Sequence, residues 1–289
     1  MKDIIVIVGP TGVGKTKLSI ELAKKLNGEI INGDSVSIYK KLNIASAKPT
    51  KEEMENIKHH LINIRDINDV YSVYDYQIDA RKKINEINSK DKRVIIVGGT
   101  GLYIKAALYN YNFTKGTTNN KYETLSNEQI YKKIKLFDKN IEIHPNNRQR
   151  LVRILNKLEN NETIGSEKDE LLYPVKIIGL TTDRETLYKR INQRVDNMIK
   201  NGLLDEVNSL KSFYKESKIL NSAIGYKEFY DYFYNNKLID SVIDEIKKNS
   251  RHYAKRQYTF FNNQMNVTWF NANFNNFKIT IDEIIDYLN

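Results

Sequence analysis

The chain has no cysteine among its 289 residues. That excludes disulfides, Cys-based zinc centres and thiol catalysis. No apolar run approaches the roughly 20 residues of a membrane-spanning helix, so no membrane partner is expected. No signal peptide precedes the first strand-like run, which begins almost at the N-terminus, and a cytoplasmic location is the expectation. Acidic residues are outnumbered, 36 Asp and Glu against 46 Lys and Arg, for a net charge of +10. Such an excess suits an anionic partner, nucleic acid first among them, but composition alone equally allows a surface that is merely well solvated. Hydrophobic residues make up 40% and charged residues 28%, which is ordinary for a globular chain with one large or two modest domains.

Against these absences stands one strong motif. Gly9, Pro10, Thr11, Gly12, Val13, Gly14, Lys15 and Thr16 read G-x-x-x-x-G-K-T. Five apolar residues, Ile4 to Val8, precede it as a buried strand would. Leu18, Leu22 and Leu26 follow at helical spacing. The strand–loop–helix setting makes this a P-loop. Its glycines let successive backbone N–H groups turn toward an anion, Lys15 adds a mobile charge, and the Thr16 hydroxyl is placed to hold Mg²⁺. The helix N-terminus adds its dipole, so the loop binds a diphosphate or polyphosphate.

Strand-like and helix-like segments alternate from there. Glu29 to Ile31 and His60 to Ile64 read as short strands, and Val94 to Val97 and Val175 to Leu180 as buried ones. Tyr74 to Asn88 reads as a helix with Ile78, Ala80, Ile84 and Ile87 on its apolar face. The alternation predicts an α/β fold, a P-loop NTPase-like parallel sheet flanked by helices. Between Tyr109 and the strand at Val175 the pattern loosens. Polar residues cluster from Thr114 to Thr124, and a basic helix follows His144-Pro145. The expected organisation is a catalytic core, residues 1–108 and 173–289, with a mostly helical insertion at 109–172. Leu187, Ile191, Val195 and Met198 line a further helix that Gly202 would end. A basic helix spans Lys247 to Phe261, Val267 to Phe270 forms a last strand, and the aromatics from Tyr226 to Tyr234 read as packing residues.

Three constellations bear on chemistry. The second strand ends in Asn32-Gly33-Asp34-Ser35, and ligands of such sheets sit at the carboxyl ends of strands. Asp34 there can hold Mg²⁺, act as a general base, or cap the turn. The strand Val94 to Val97 ends in Gly98-Gly99-Thr100-Gly101, where a hydrolytic P-loop enzyme often has an Asp for its metal shell. A glycine turn that presents Thr100 suggests a diphosphate leaving group instead, although it also serves as a tight strand-to-helix turn. Basic residues cluster at Arg148, Arg150 and Arg153, at Arg184, Arg190 and Arg194, and at Lys247, Lys248, Arg251, Lys255 and Arg256. Arg190 and Arg194 share a helix face and can clamp one anion.

Taken together the motifs resemble the tRNA dimethylallyltransferase family, also called tRNA isopentenyltransferases. The resemblance rests on the P-loop, Gly33 to Lys40, Ser46 to Thr50, His59 to Ile62, Tyr71 to Tyr76, Gly98 to Tyr103 and His144 to Asn147. It continues through Arg190 to Val195, Ala223 to Glu228 and Tyr253 to Gln257, collinear over nearly the whole chain. It implies transfer of a dimethylallyl group from dimethylallyl diphosphate, with Mg²⁺, to the exocyclic amine of the adenine 3′ of the anticodon. It implies catalytic roles for Asp34, Thr100 and Arg194, with Arg190 and the P-loop on the diphosphate. It implies tRNA contacts from Asp34, Ser35, Val36, Ser37 and Thr100, from Gln149, Arg150, Leu151, Val152 and Arg153, and from Arg251, Lys255 and Gln257. The partner is the anticodon stem-loop, and a monomer is expected. Three features depart from the family pattern: Val36-Ser37 in place of Met-Gln, Asn262 in place of an arginine, and a shortened stretch from Lys115 to Asn127. A small-molecule P-loop kinase would share the loop, the carboxylate and a lid arginine, but has no need of three basic clusters. A GTPase-type switch would require Asn-Lys-x-Asp and Asp-x-x-Gly motifs, which are missing.

Overall fold

The structure is a computed structural model that describes residues 2–111, 122–160 and 170–289. Those residues form two compact units, one of residues 1–109 with 171–289 and one of 110–170.

The larger unit is built on six parallel strands: β1 (Ile4–Val8), β2 (Gly28–Asn32), β3 (His59–His60), β4 (Arg93–Val97), β5 (Val175–Thr181) and β6 (Thr268–Asn271). Their order across the sheet is β3-β2-β4-β1-β5-β6. β1 lies between β4 and β5, and all five of its residues are buried, which is why it reads as an unbroken apolar run. The helices of this unit are α1 (Lys15–Lys25), α2 (Val73–Asn88), α3 (Gly101–Leu108), α6 (Arg184–Lys200), α7 (Leu203–Ser209), α8 (Phe229–Tyr234), α9 (Ile239–Gln264) and α10 (Phe277–Leu288); α4 and α5 belong to the smaller unit. One apolar cluster joins Val6, Tyr76, Ile96, Tyr226 and Phe261, and a second, including Leu18, Ile30, Ile178 and Ile281, lies under α1 and α10.

Two local expectations fail. β3 is His59–His60 rather than a strand running on to Ile64, because Leu61 (φ 59°) and Asn63 (φ 57°) are left-handed and break the extended chain. Ile78 is 49% exposed; the buried face of α2 is Tyr76, Ala80, Ile84 and Ile87, and Ile78 stands two residues out of phase with it. Ser72 and Asp75 close a capping box at the start of α2. Gly202 (φ 91°) follows α6 and opens α7. Within α8, Phe233 packs its ring on Tyr214 and on Phe229. Asn262 accepts the indole N–H of Trp269 at 2.9 Å.

The smaller unit pairs α4 (Asn127–Phe137) with α5 (Arg148–Glu159) over a core of Ile130, Ile134, Leu151 and Leu155. Ser126 and Gln129 form the capping box of α4, and Asn147 caps α5. Arg148 braces the unit from within, its guanidinium donating to the carbonyls of Tyr122 (2.7 Å) and Leu125 (2.8 Å). Residues 114–121 of the polar stretch, and most of the shortened segment 115–127, lie outside the described residues.

Candidate active site

Three loops leave the carboxyl ends of adjacent strands and meet. The P-loop follows β1, Gly33–Ser37 follows β2, and Gly98–Thr100 follows β4. Contact between the last two is backbone to backbone: a Cβ on Gly98 would stand 2.2 Å from the carbonyl of Gly33. Within the P-loop, Gly14 has φ 96°, and a Cβ there would meet the Phe277 ring at 2.7 Å. These loops, with α6, α9 and the segment Ile219–Lys227, enclose a cavity of about 780 Å³.

One end of the cavity is cationic. Lys15 donates to the carbonyls of Gly9 (2.9 Å) and Pro10 (2.7 Å). Burial pushes its ammonium down to about 7, the neighbouring Arg194 adds to the fall, and Asp34 opposes it. Asp183 caps α6 by accepting from Thr186 N–H, and α6 carries Arg190 and Arg194 one turn apart onto the cavity wall. The half-buried Arg194 has no hydrogen-bond or ion-pair partner among the described residues; burial lowers its pKa and Asp34 raises it. Arg190 donates from Nε to the Gly12 carbonyl at 2.8 Å. Three cations with no carboxylate ion-pair partner among the described residues, Lys15 and Arg194 of them half-buried, are costly together in a protein alone and favourable around a polyanion.

Asp34 is the carboxylate of this cavity, and its loop is fixed bond by bond. The Asn32 side chain accepts Asp34 N–H (3.1 Å) and donates to Asp34 O (2.9 Å) and Leu61 O (3.0 Å). The buried Tyr76 hydroxyl donates to Asn32 O (2.9 Å). Asp34 Oδ1 accepts from Val36 N–H (3.0 Å). Thr100 Oγ1 accepts from Ser35 N–H (3.0 Å) and donates to Ser35 Oγ (3.3 Å), which ties the β4 turn to the Asp34 loop. On α9, Tyr253 and Gln257 stand one turn apart, and both donate to Gly99 O, at 3.3 and 3.0 Å. Burial and the charge of Asp34 push the Tyr253 phenol up to about 12.

A family model described as IPP transferase matches residues 37–264. The chain belongs to the IPP transferase family. It is 44% identical to the tRNA dimethylallyltransferase of Anoxybacillus flavithermus, over 99% of this chain and 96% of that one. Its structure resembles the tRNA isopentenylpyrophosphate transferase of Bacillus halodurans, with TM-score 0.80 and 39% identity over 100% of this chain and 96% of that one. It also resembles a eukaryotic dimethylallyltransferase described as acting on tRNA, with TM-score 0.85 and 28% identity over 99% and 78% of the two chains.

Most of the residues singled out in the core of this IPP transferase do meet at the cavity. Thr11, Gly12, Gly14, Lys15, Thr16, Asp34, Ser35, Val36, Ser37, Arg190, Arg194 and Gln257 all line it. Val13 is wholly buried, so its side chain faces the core and only its backbone serves the loop. Ser37 and Gln257 are nearly buried and present little surface. Gln149, Arg150 and Arg153 are exposed and Val152 is half-buried. Leu151 has no exposed surface; it is a core residue of the smaller unit, and the expected contact through its side chain is withdrawn. Lys255 is exposed, whereas Arg251 donates to Asn192 on α6 at 2.6 Å.

Sequence reading missed the residues that hold the cavity wall. Glu206 accepts from Asn43 N–H, from Ile44 N–H and from the Tyr226 hydroxyl (2.7 Å). Lys48 donates to Tyr39 O (2.8 Å), Asn43 Oδ1 (3.1 Å) and Asn63 Oδ1 (2.6 Å), with its pKa lowered to about 8 by burial. Glu206 gives no local signal, because the backbone amides it holds lie more than 160 residues upstream and Tyr226 lies 20 residues downstream. Lys48 sat inside a quoted motif, but nothing in the spacing distinguishes a strut from a ligand.

No group of three or more His, Cys, Asp or Glu side chains among the described residues could cage a metal ion. The Thr16 hydroxyl is exposed at the start of α1 and lines the cavity. One hydroxyl suits a hard cation that draws its remaining ligands from phosphate oxygens and water, the usual arrangement for Mg²⁺.

Proposed function

We propose that the chain transfers a dimethylallyl group from dimethylallyl diphosphate to the exocyclic amine of the adenine just 3′ of the anticodon, in tRNAs reading codons that begin with U. The observation that carries this reading is a single cavity with unpaired cations at its P-loop end, the Asp34 carboxylate beside them, and no carboxylate at the end of β4. The names of its relatives support the same chemistry.

Lys15, Arg190, Arg194 and the P-loop amides hold the diphosphate and take up the charge that grows on it as the C–O bond breaks. Mg²⁺ held through Thr16 would add charge stabilisation at those oxygens. The electron pair of the broken bond leaves on the diphosphate. The adenine amine forms the new C–N bond and gives its proton to Asp34, whose free oxygen is kept in place by the Asn32 and Val36 bonds. Thr100 positions the Asp34 loop through Ser35. The target base must leave the anticodon stack to enter the cavity. Gln149, Arg150 and Arg153 of the insertion, with Lys255, contact the stem-loop. The working form is a cytoplasmic monomer.

Purified protein incubated with labelled dimethylallyl diphosphate, Mg²⁺ and an anticodon stem-loop is expected to give a labelled adenosine on nucleoside mass spectrometry. Transfer of label from γ-labelled ATP to a small molecule, with none from the allylic donor, would establish the kinase reading instead.

A further inference from the structure

The guanidinium of Arg190 is held on a face and on an edge. Phe274 lies beneath it, with the ring centroid 3.8 Å from the guanidinium carbon, much the shortest such contact among the described residues. Nε is engaged with the Gly12 carbonyl at 2.8 Å. Nη1 and Nη2 have no protein partner among the described residues, and Arg190 lines the cavity. A guanidinium stacked on a ring and pinned at Nε keeps its outer edge, the one that grips an oxyanion with two parallel bonds, in a fixed direction.

Phe274 belongs to the turn between β6 and α10, past residue 264 where the family-model match ends. That turn is firmly seated. Ala272 N–H donates to Thr181 O at 2.8 Å, joining it to the end of β5. Asn273 Oδ1 accepts from Asn275 N–H (3.2 Å) and Asn276 N–H (3.0 Å), and Asn273 N–H donates to the buried Thr280 hydroxyl (2.8 Å). Three residues on, Phe277 packs against Gly14, with Lys17 Nζ 5.4 Å from the centre of its ring. One turn thus touches the P-loop directly through Phe277 and indirectly through Arg190.

We propose that Phe274 is a positioning residue for the leaving diphosphate: its ring stacks on Arg190 and aims the free edge of that guanidinium at the anion. The proposal rests on reading the P-loop end of the cavity as the donor site. It makes the C-terminal turn a part of donor recognition and separates that turn from tRNA binding.

The test is calorimetric titration of inorganic diphosphate with Mg²⁺, together with KM for donor and for stem-loop, in F274A, F274L, F274Y, R190A and the double variant R190A/F274A. Leucine keeps the packing and loses the π face. F274A and F274L are expected to weaken diphosphate binding and raise donor KM by about two- to fivefold, the scale of a cation–π contact at an exposed site. F274Y should match wild type, and stem-loop KM should not move. In the R190A background, F274A should add nothing. An F274L protein that binds diphosphate like wild type while R190A does not would overturn the proposal alone, since packing would then suffice. Additive losses in the double variant would also overturn it. An R190A protein that binds diphosphate like wild type would overturn the donor-site reading, and this proposal with it. Should F274A fail to fold, F274L and F274Y carry the comparison.

Discussion

Helix α6 uses its charge in opposite ways on two faces. Arg190 and Arg194 stand one turn apart on the cavity; among the described residues Arg194 has no hydrogen-bond or ion-pair partner and Arg190 has only its Nε engaged. Asn192 and Asp196 also stand one turn apart, but two residues out of phase and so on the other side. There Asn192 takes Arg251 at 2.6 Å and Asp196 takes Lys247 at 2.6 Å, both from α9. Four basic side chains around one helix therefore divide into a pair left for a ligand and a pair that joins two helices. The net charge of +10 conceals that division. Arg148 repeats it in the smaller unit, where it is spent on internal carbonyls while Arg150 and Arg153 are exposed.

The strongest way to probe the cavity side is to neutralise the carboxylate that shares it. Asp34→Asn keeps the size and the Val36 bond but cannot take a proton. Single-turnover kcat is expected to fall by about 10²- to 10⁴-fold with donor binding retained. An unchanged single-turnover rate with weaker RNA binding would make Asp34 a binding group.

Next is Lys15→Ala, expected to cost about a hundredfold in turnover, the scale of one lost transition-state donor. Its pH signature is as telling. With its pKa near 7 instead of the ordinary 10.5, Lys15 carries fewer protons in the folded chain than in the unfolded one across that window. Its contribution to stability therefore rises with pH between about 7 and 10.5 and is constant below about 7. Bound diphosphate restores the ammonium, so above pH 7 binding should take up a proton and weaken as pH rises. Calorimetry in buffers of different ionisation enthalpy measures that uptake, which Lys15→Ala should abolish.

Arg194→Ala and Arg251→Ala test the two faces of α6 against each other. The first should raise donor KM about tenfold and leave Tm unchanged or higher, because an unpaired half-buried charge is removed. The second should lower stability by about 1–2 kcal/mol, as loss of a charged hydrogen bond does, with donor KM unchanged. A reversed pattern would exchange their assignments.

In the smaller unit, Arg150→Ala should flatten the salt dependence of stem-loop binding by about one unit of log K against log salt, with no change in Tm. The least effect is expected from Lys247→Ala, about 0.5 kcal/mol or less, because its partner Asp196 is 47% exposed.

What could be read from the sequence was what is local. β1, β4 and β5 announce themselves as apolar runs, and the P-loop by its fixed spacing. Asp34 could be placed at the cavity because strand ends face it. The failures share a cause. β3 stops early because Leu61 and Asn63 take left-handed conformations that no composition signals. Ile78 is apolar yet solvent-facing because the buried face of α2 runs through Tyr76, Ala80, Ile84 and Ile87, and an apolar residue two positions out of phase gives no local sign of it. Glu206, Lys48 and Phe274 act on partners set by the fold: Glu206 reaches across to residues 43 and 44, and Phe274 reaches back to Arg190. The basic clusters were legible as clusters, but which members face a ligand depended on which helix lay beside them.

The bracket that Asn32 places around Asp34 also bears on how the molecule ages. Asn-Gly is the dipeptide most prone to spontaneous deamidation, in which the following amide nitrogen attacks the side-chain carbon, and Asn32-Gly33 is one such pair. Here the attacking nitrogen is occupied, donating to Val97 O at 2.7 Å. The side-chain amide under attack is tied at both its oxygen and its nitrogen and is 6% exposed. At Asn201-Gly202, the exposed end of α6, the Gly202 nitrogen is held less closely, donating to Ile199 O at 3.1 Å, and the exposed Asn201 side chain has no hydrogen-bond partner among the described residues. Stored protein should therefore convert to aspartate at Asn201 well before Asn32, and the onset of conversion at Asn32 would date the opening of the Asp34 loop.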